Sequence, residues 1–196
     1  MATKFILTIP LLLVTITALS WGNTLYIHVK AVLAQFLIAD AWADTLERDR
    51  DFKPWPWADT WPVARMHTEI LDGDLYILAG AHGSTLAFGP GHMDGTVAPG
   101  ESGSSVIAGH RDTHFEFLEN IVIDDRFQIQ TRRGTWQTYL VSNIDIIDTT
   151  ENDTWLLDQS LDTIYLVTCF PFDAINPGGP LRIVVQLEPV SRVIGP

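Results

Sequence analysis

Beyond residue 62 every apolar run in this chain is short and ends at a glycine, a proline or a cluster of polar turn residues. That punctuation excludes long helices from the second part of the chain and favours short strands joined by turns. "ARMHTEIL" alternates in part and stops at Asp72-Gly73-Asp74, a turn signal, before "DLYILAG". "STLAFGPGHMDG" reads as a loop around Gly-Pro-Gly, and "SSVIAGHRD" as a strand that runs into a glycine. "RFQIQTRRGTWQTYLVSNIDII" reads as a hairpin turning near Arg133-Gly134. "TENDTWLLDQS" is a short polar turn or helix, and "DTIYLVTCF" and "PLRIVVQLEPV" are two more strands. Seven or eight such strands predict a mainly β fold, a closed or nearly closed barrel and not a parallel α/β sheet. The 14 glycines and 11 prolines agree with a loop-rich β protein.

The first part of the chain follows another rule. From Phe5 to Val29 there is no Asp, Glu, Lys or Arg, and Lys4 and Lys30 flank the stretch. Its core, "FILTIPLLLVTITALSW", is long enough to cross a bilayer as a helix. A cleaved signal peptide is the competing reading, with small residues at Ala18-Leu19-Ser20. The apolar pattern continues beyond that point as an amphipathic helix, "TLYIHVKAVLAQFLIADAWADTLERD", which favours an uncleaved anchor with Trp21 and Tyr26 at the interface. His28 falls in this segment and reads as interfacial or structural. The expected organisation is an anchor and amphipathic helix over 1–48, a Trp/Pro-rich linker over 49–62, and the barrel over 63–190. In the linker, "DRDFKPWPWADTWP", the density of proline rules out helix and central strand. Its tryptophans are expected to cap an open edge or the barrel bottom, or to meet a membrane interface. A single-pass anchor with its N-terminus inside would place the barrel on the extracytoplasmic (periplasmic) side of the cytoplasmic membrane.

Charge and cysteine count remove several function classes. The formal net charge is −12, which disfavours nucleic acid as a partner. One cysteine cannot form an intramolecular disulfide or a four-thiolate zinc site. That cysteine, Cys169, closes an apolar strand. A lone buried cysteine can be no more than a small hydrophobe. His110 lies just past another apolar strand, and Arg182 near the start of a third. Three such strand ends can meet on one rim of a barrel. The chemistry that uses this trio is acyl transfer: a thiolate attacks an amide carbonyl, histidine protonates the leaving amine, and a guanidinium stabilises the oxyanion or holds the substrate. A free thiol in an exported domain is easiest to explain where the thiol itself is needed.

"VIAGHRDTHF" and "LVTCFPF…PLRIVV", in that order, resemble the sortase family of membrane-anchored cysteine transpeptidases. The family signature Thr-Leu-x-Thr-Cys stands here as Tyr165-Leu166-Val167-Thr168-Cys169, with Tyr165 in place of the first threonine. "LAFGPGHMDGTVAPGESGSSVIAGHRDTHF" and "TCFPFDAINPGGPLRIVV" resemble more particularly the Gram-negative (marine proteobacterial) subgroup. The resemblance runs over about residues 60–188. It implies a closed β-barrel of about eight strands with short helices, preceded by the N-terminal helix. It implies Cys169 as nucleophile, His110 as general acid and then base, and Arg182 as oxyanion stabiliser or substrate clamp. The implied substrate is a protein with a C-terminal sorting signal of the Leu-Pro-x-Thr-Gly type, cut between Thr and Gly, with the acyl group passed to an amine acceptor.

Supporting roles are open to several readings. Asp112 could orient His110, pair with Arg111 or Arg182, or serve as a turn residue. His114 stands at His-x-x-x-His spacing from His110, but no Glu follows the first His and a glycine precedes it, so a groove or packing role is expected over zinc. His92 sits in a loop that could border the site or face solvent. Thr168 could turn toward the site or act as a β-branched strand residue. Asn176 and the Gly178-Gly179 pair could form a groove wall. His67 and His82 carry no signal. The acidic residues show no EF-hand spacing, and no cofactor or obligatory metal is expected. A catalytically silent, membrane-tethered barrel that binds an extended peptide along its edge is the alternative of another class.

Overall fold

The structure is a computed structural model that describes residues 17, 21, 26, 29–150, 162–174, 176 and 178–190. Residues 29–48 form a helix, α1. Eight strands follow: β1 (Pro62–Thr68), β2 (Asp74–Ala79), β3 (Gly91–His92), β4 (Ser105–Ala108), β5 (Arg126–Gln130), β6 (Trp136–Asp148), β7 (Ile164–Cys169) and β8 (Leu181–Pro189). A short helix, α2 (Gly83–Leu86), precedes β3, and a 3₁₀ turn, Glu116–Asn120, follows β4. The strands close into a barrel in the order β1-β2-β3-β4-β7-β8-β6-β5.

The expected closed barrel is therefore present. Two of its pairings are parallel, β2 with β3 and β4 with β7, and the rest are antiparallel. The stretch read as a single loop around Gly-Pro-Gly holds both α2 and β3. The β5–β6 hairpin turns where expected, at Gly134, whose φ of 77° suits a residue without Cβ. The segment "TENDTWLLDQS" lies outside the described residues apart from its edge, as does the bulk of the expected membrane span 5–29. Among the described residues no helix is long and apolar enough to cross a membrane.

The barrel interior follows from strand alternation. Ala64 and Met66 of β1, Ile77 of β2, Ile107 of β4, Phe127 and Ile129 of β5, Tyr139 and Val141 of β6, and Ile183, Val185 and Leu187 of β8 share one buried cluster. Ile164 and Leu166 join it from β7. The alternate residues of β7, Tyr165 and Val167, belong to a second cluster with Val106 of β4 and Val184 of β8, against which Met93 and Ile147 pack. Strand β7 is thus apolar on both faces. This is why it reads in sequence as one continuous run and not as an alternation.

The chain divides into two compact units, Met1–Leu37 and Ile38–Pro196. Within the second, Ile38, Ala41, Trp42 and Thr45 of α1 are buried, and Trp42 Nε1 donates to Gln130 Oε1 of β5 at 3.0 Å. The tryptophans of the 49–62 segment behave differently from one another. Trp55 packs edge-on against Phe88, with ring centroids 5.0 Å apart, whereas Trp57 is 82% exposed. Thr60 Oγ1 donates to the Ala79 carbonyl at 2.7 Å, which fixes the end of the segment beside β2.

Candidate active site

Strand register places Cys169 and Arg182 at one level of the wall, with the His110 turn at the end of the strand beside β7. In the antiparallel β7–β8 pair, Cys169 stands directly opposite Arg182. Cys169 shares its face with Tyr165 and Val167, and Arg182 shares its face with Val184, so both project from the outer side of the barrel. In the parallel β4–β7 pair, Ala108 is opposite Val167. The ladder continues beyond β4, because Gly109 N donates to the Val167 carbonyl at 3.1 Å. His110 follows Gly109 at the start of the turn that leaves this ladder, at the end of β4 that adjoins the Cys169 end of β7. The Cys169 thiol is free and partly exposed.

The His110 turn is built from packing. A Cβ on Gly109 would lie 2.7 Å from the Phe115 ring, so only glycine lets that ring close under the turn. Phe115 is fully buried and its N–H donates to the His110 carbonyl at 2.9 Å. On the Cys169 side, Phe170 and Phe172 meet edge-on and pack against the barrel core, and the Phe170–Pro171 peptide is cis. The Phe170 N–H donates to the Leu181 carbonyl at 3.0 Å, joining the exits of β7 and β8.

Arg182 donates through Nη1 to the Gly179 and Leu181 carbonyls at 2.5 and 2.8 Å. Among the described residues, no hydrogen bond or ion pair joins the side chains of Cys169, His110 and Arg182.

The supporting candidates separate. Thr168 turns away from the thiol: its buried hydroxyl donates to the Gly109 carbonyl at 2.6 Å, tying β7 to the His110 turn. Asp112 is exposed and neither arginine turns to it. Arg111 donates to the Pro171 and Ala174 carbonyls at 2.6 and 2.5 Å. His92 Nε2 donates to the Val97 carbonyl at 2.8 Å, with Thr96 Oγ1 at 3.0 Å, and so staples its own loop. Asn176 is an exposed loop residue. His114 is half-buried in the turn between His110 and the 3₁₀ turn, which is not an α-helix that would present both imidazoles to one metal. Among the described residues, no group of three or more His, Cys, Asp or Glu is placed to hold a metal ion.

Burial lowers the His114 pKa below its ordinary value, and repulsion from His110 lowers it further. The neutral imidazole is the form this fold accepts. The unfolded chain then binds a proton more readily than the folded one. The contribution of His114 to stability is complete above about pH 6.5, the ordinary value for histidine, and is lost as pH falls below it. The melting temperature is expected to fall on acidification through that window, and less steeply in His114→Gln. Parallel curves for the two proteins would show that His114 is not the group responsible.

Two contributions escaped the sequence reading. Arg111 drew notice only as a partner for Asp112, and nothing in "GHRD" says that its guanidinium crosses to another loop. The second apolar cluster was hidden because outward and inward residues of β7 are equally apolar.

With this geometry in view, the comparisons with known proteins are decisive. The model of the sortase domain matches residues 66–190. The chain belongs to the sortase family. Sortase D of Bacillus subtilis (strain 168) is 27% identical over 121 residues, which cover 62% of this chain and 60% of that protein. The match thus spans about three-fifths of that relative's length. Among solved structures, sortase A from Corynebacterium diphtheriae superposes with a TM-score of 0.59 at 28% identity, over 68% of this chain and 63% of that one. Sortase C1 of Streptococcus agalactiae, in complex with MTSET, gives 0.58 at 27% identity, over 67% and 69% of the two chains. The sortase D5 transpeptidase of Clostridium perfringens, at 22% identity and a TM-score of 0.58, supports the fold, covering 78% of this chain and 88% of its own. The sortase domain begins within β1 and extends one residue past β8, so it coincides with the barrel.

Proposed function

We propose that this sortase is a membrane-anchored cysteine transpeptidase that cuts a Leu-Pro-x-Thr-Gly-type sorting signal and passes the acyl group to an amine. The observation that supports the reading is the register: Cys169 lies opposite Arg182 on β8, and the turn that carries His110 leaves the adjacent end of the neighbouring parallel strand β4.

The reaction these groups can perform follows in two halves. The Cys169 thiolate attacks the carbonyl carbon between Thr and Gly, and the electron pair moves onto oxygen. Arg182 stabilises that oxyanion or clamps the peptide backbone, a task that suits a planar and permanently charged donor. Collapse breaks the C–N bond while protonated His110 gives its proton to the departing amine. The thioester on Cys169 is then attacked by the acceptor amine, whose proton returns to His110. The new amide leaves, and thiolate and imidazolium are restored. Water in place of the amine would give hydrolysis by the same route.

The apolar stretch 5–29 is the proposed anchor, with the barrel on the extracytoplasmic side. The motifs around His110 and Cys169 quoted above favour the Gram-negative (marine proteobacterial) subgroup. The test uses the full chain with a Leu-Pro-x-Thr-Gly-type peptide and an added amine, followed by mass spectrometry. An acyl adduct on Cys169 that transfers to the amine is the expected result. A thiol that alkylates readily yet never forms the adduct would refute this signal type. An inert thiol would refute the enzyme and favour the peptide-binding barrel.

A further inference from the structure

Arg111 directly follows His110, and its side chain leaves the turn to reach the loop behind Cys169. Nη1 donates to the Pro171 carbonyl at 2.6 Å and Nη2 to the Ala174 carbonyl at 2.5 Å. The two acceptors flank Phe172 and Asp173 in the first turn after β7. Only a forked guanidinium can cap two carbonyls that stand three residues apart with two parallel arms; an ammonium is a single point of charge. On the other side of His110, the Gly109 carbonyl accepts from the buried Thr168 hydroxyl at 2.6 Å. The residues before and after His110 are thus each tied to the residues around Cys169: Gly109 to Thr168, and Arg111 to Pro171. The main-chain bond from Gly109 to Val167 completes the bracket.

We propose that Arg111 is a positioning residue: by clasping the carbonyls of Pro171 and Ala174 it holds the loop that follows Cys169 against the turn that carries His110, and so sets the separation over which acid and nucleophile work. The proposal rests on the roles given above to Cys169 and His110. Arg111 itself touches no reacting atom. Its effect belongs to orientation, where a displacement of about 1 Å can slow a reaction about a hundredfold.

The test uses the full chain and the fact that Cys169 is its one thiol, so alkylation by iodoacetamide reports that site alone. The rate is measured against pH for the native protein, His110→Ala, Arg111→Ala and the double variant. In the native background His110→Ala is expected to shift the profile, which measures the coupling of the pair. In the Arg111→Ala background the same substitution is expected to shift it by less than about half as much. Peptide transfer by Arg111→Ala is expected to lose about a hundredfold in kcat with KM held within about twofold. Arg111→Lys, which keeps the charge and stem but not the fork, is expected to fall between, and carries the test if the alanine variant does not fold by circular dichroism. An unchanged His110→Ala shift in both Arg111 variants, with kcat within about twofold of native, would overturn the brace. No shift even in the native background would overturn the pairing of His110 with Cys169, and the brace with it.

Discussion

Cys169→Ala is expected to abolish peptide cleavage and transfer together, leaving a folded protein with no acyl adduct. Alanine removes the sulfur and little else. Cys169 ends β7, its side chain is on the outer face and partly exposed, and the barrel interior is filled by its neighbours Ile164 and Leu166. Stability should therefore change little, and the loss of activity should be chemical. Cys169→Ser is expected to fail as well, because an alcohol is a far weaker nucleophile than a thiol when no base is arranged to ionise it fully. The check is single-turnover mass spectrometry with thermal melting on the same samples. Residual transfer above the uncatalysed rate, in a protein that melts normally, would remove Cys169 from the mechanism.

His110→Ala is expected to lower kcat/KM by about 10²- to 10⁴-fold, the range for loss of a positioned acid–base group. The loss should fall on both halves of the reaction, since in the proposed mechanism the same imidazole first gives the proton to the leaving amine and then takes one from the acceptor. A substrate with a better leaving group than an amine, such as a thioester-linked peptide, should recover the first half. If the variant loses less than about tenfold on the amide substrate, another group supplies the proton. His114, half-buried in the same turn, would be the first to test.

Much of the site was legible from residue order, and the reasons are local. A buried strand that ends in a thiol, and another that runs through glycine into histidine, state their own positions. The closed barrel was legible from the punctuation of short strands. What could not be read is what depends on register. No residue pattern says that β4 and β7 run parallel, yet this pairing is what brings the turn that carries His110 to the Cys169 end of β7. The same applies to Arg111, whose acceptors are main-chain carbonyls and leave no mark in the side-chain sequence. The local bond of His92 was hidden for a related reason: its partner is the carbonyl of Val97, five residues on. Thr168 bonds a carbonyl too, and this decided its orientation against the site. In each case the missing information was a backbone acceptor.

The two-sided packing of β7 bears on how the enzyme would be lost on heating. A strand with apolar neighbours on both faces opens only when the whole domain opens, so its amides should be among the slowest to exchange with solvent. The residue proposed as nucleophile is thereby mounted on the most persistent part of the molecule. Inactivation by heat should then track global unfolding, with no earlier stage in which the barrel survives and the thiol has drifted from its place.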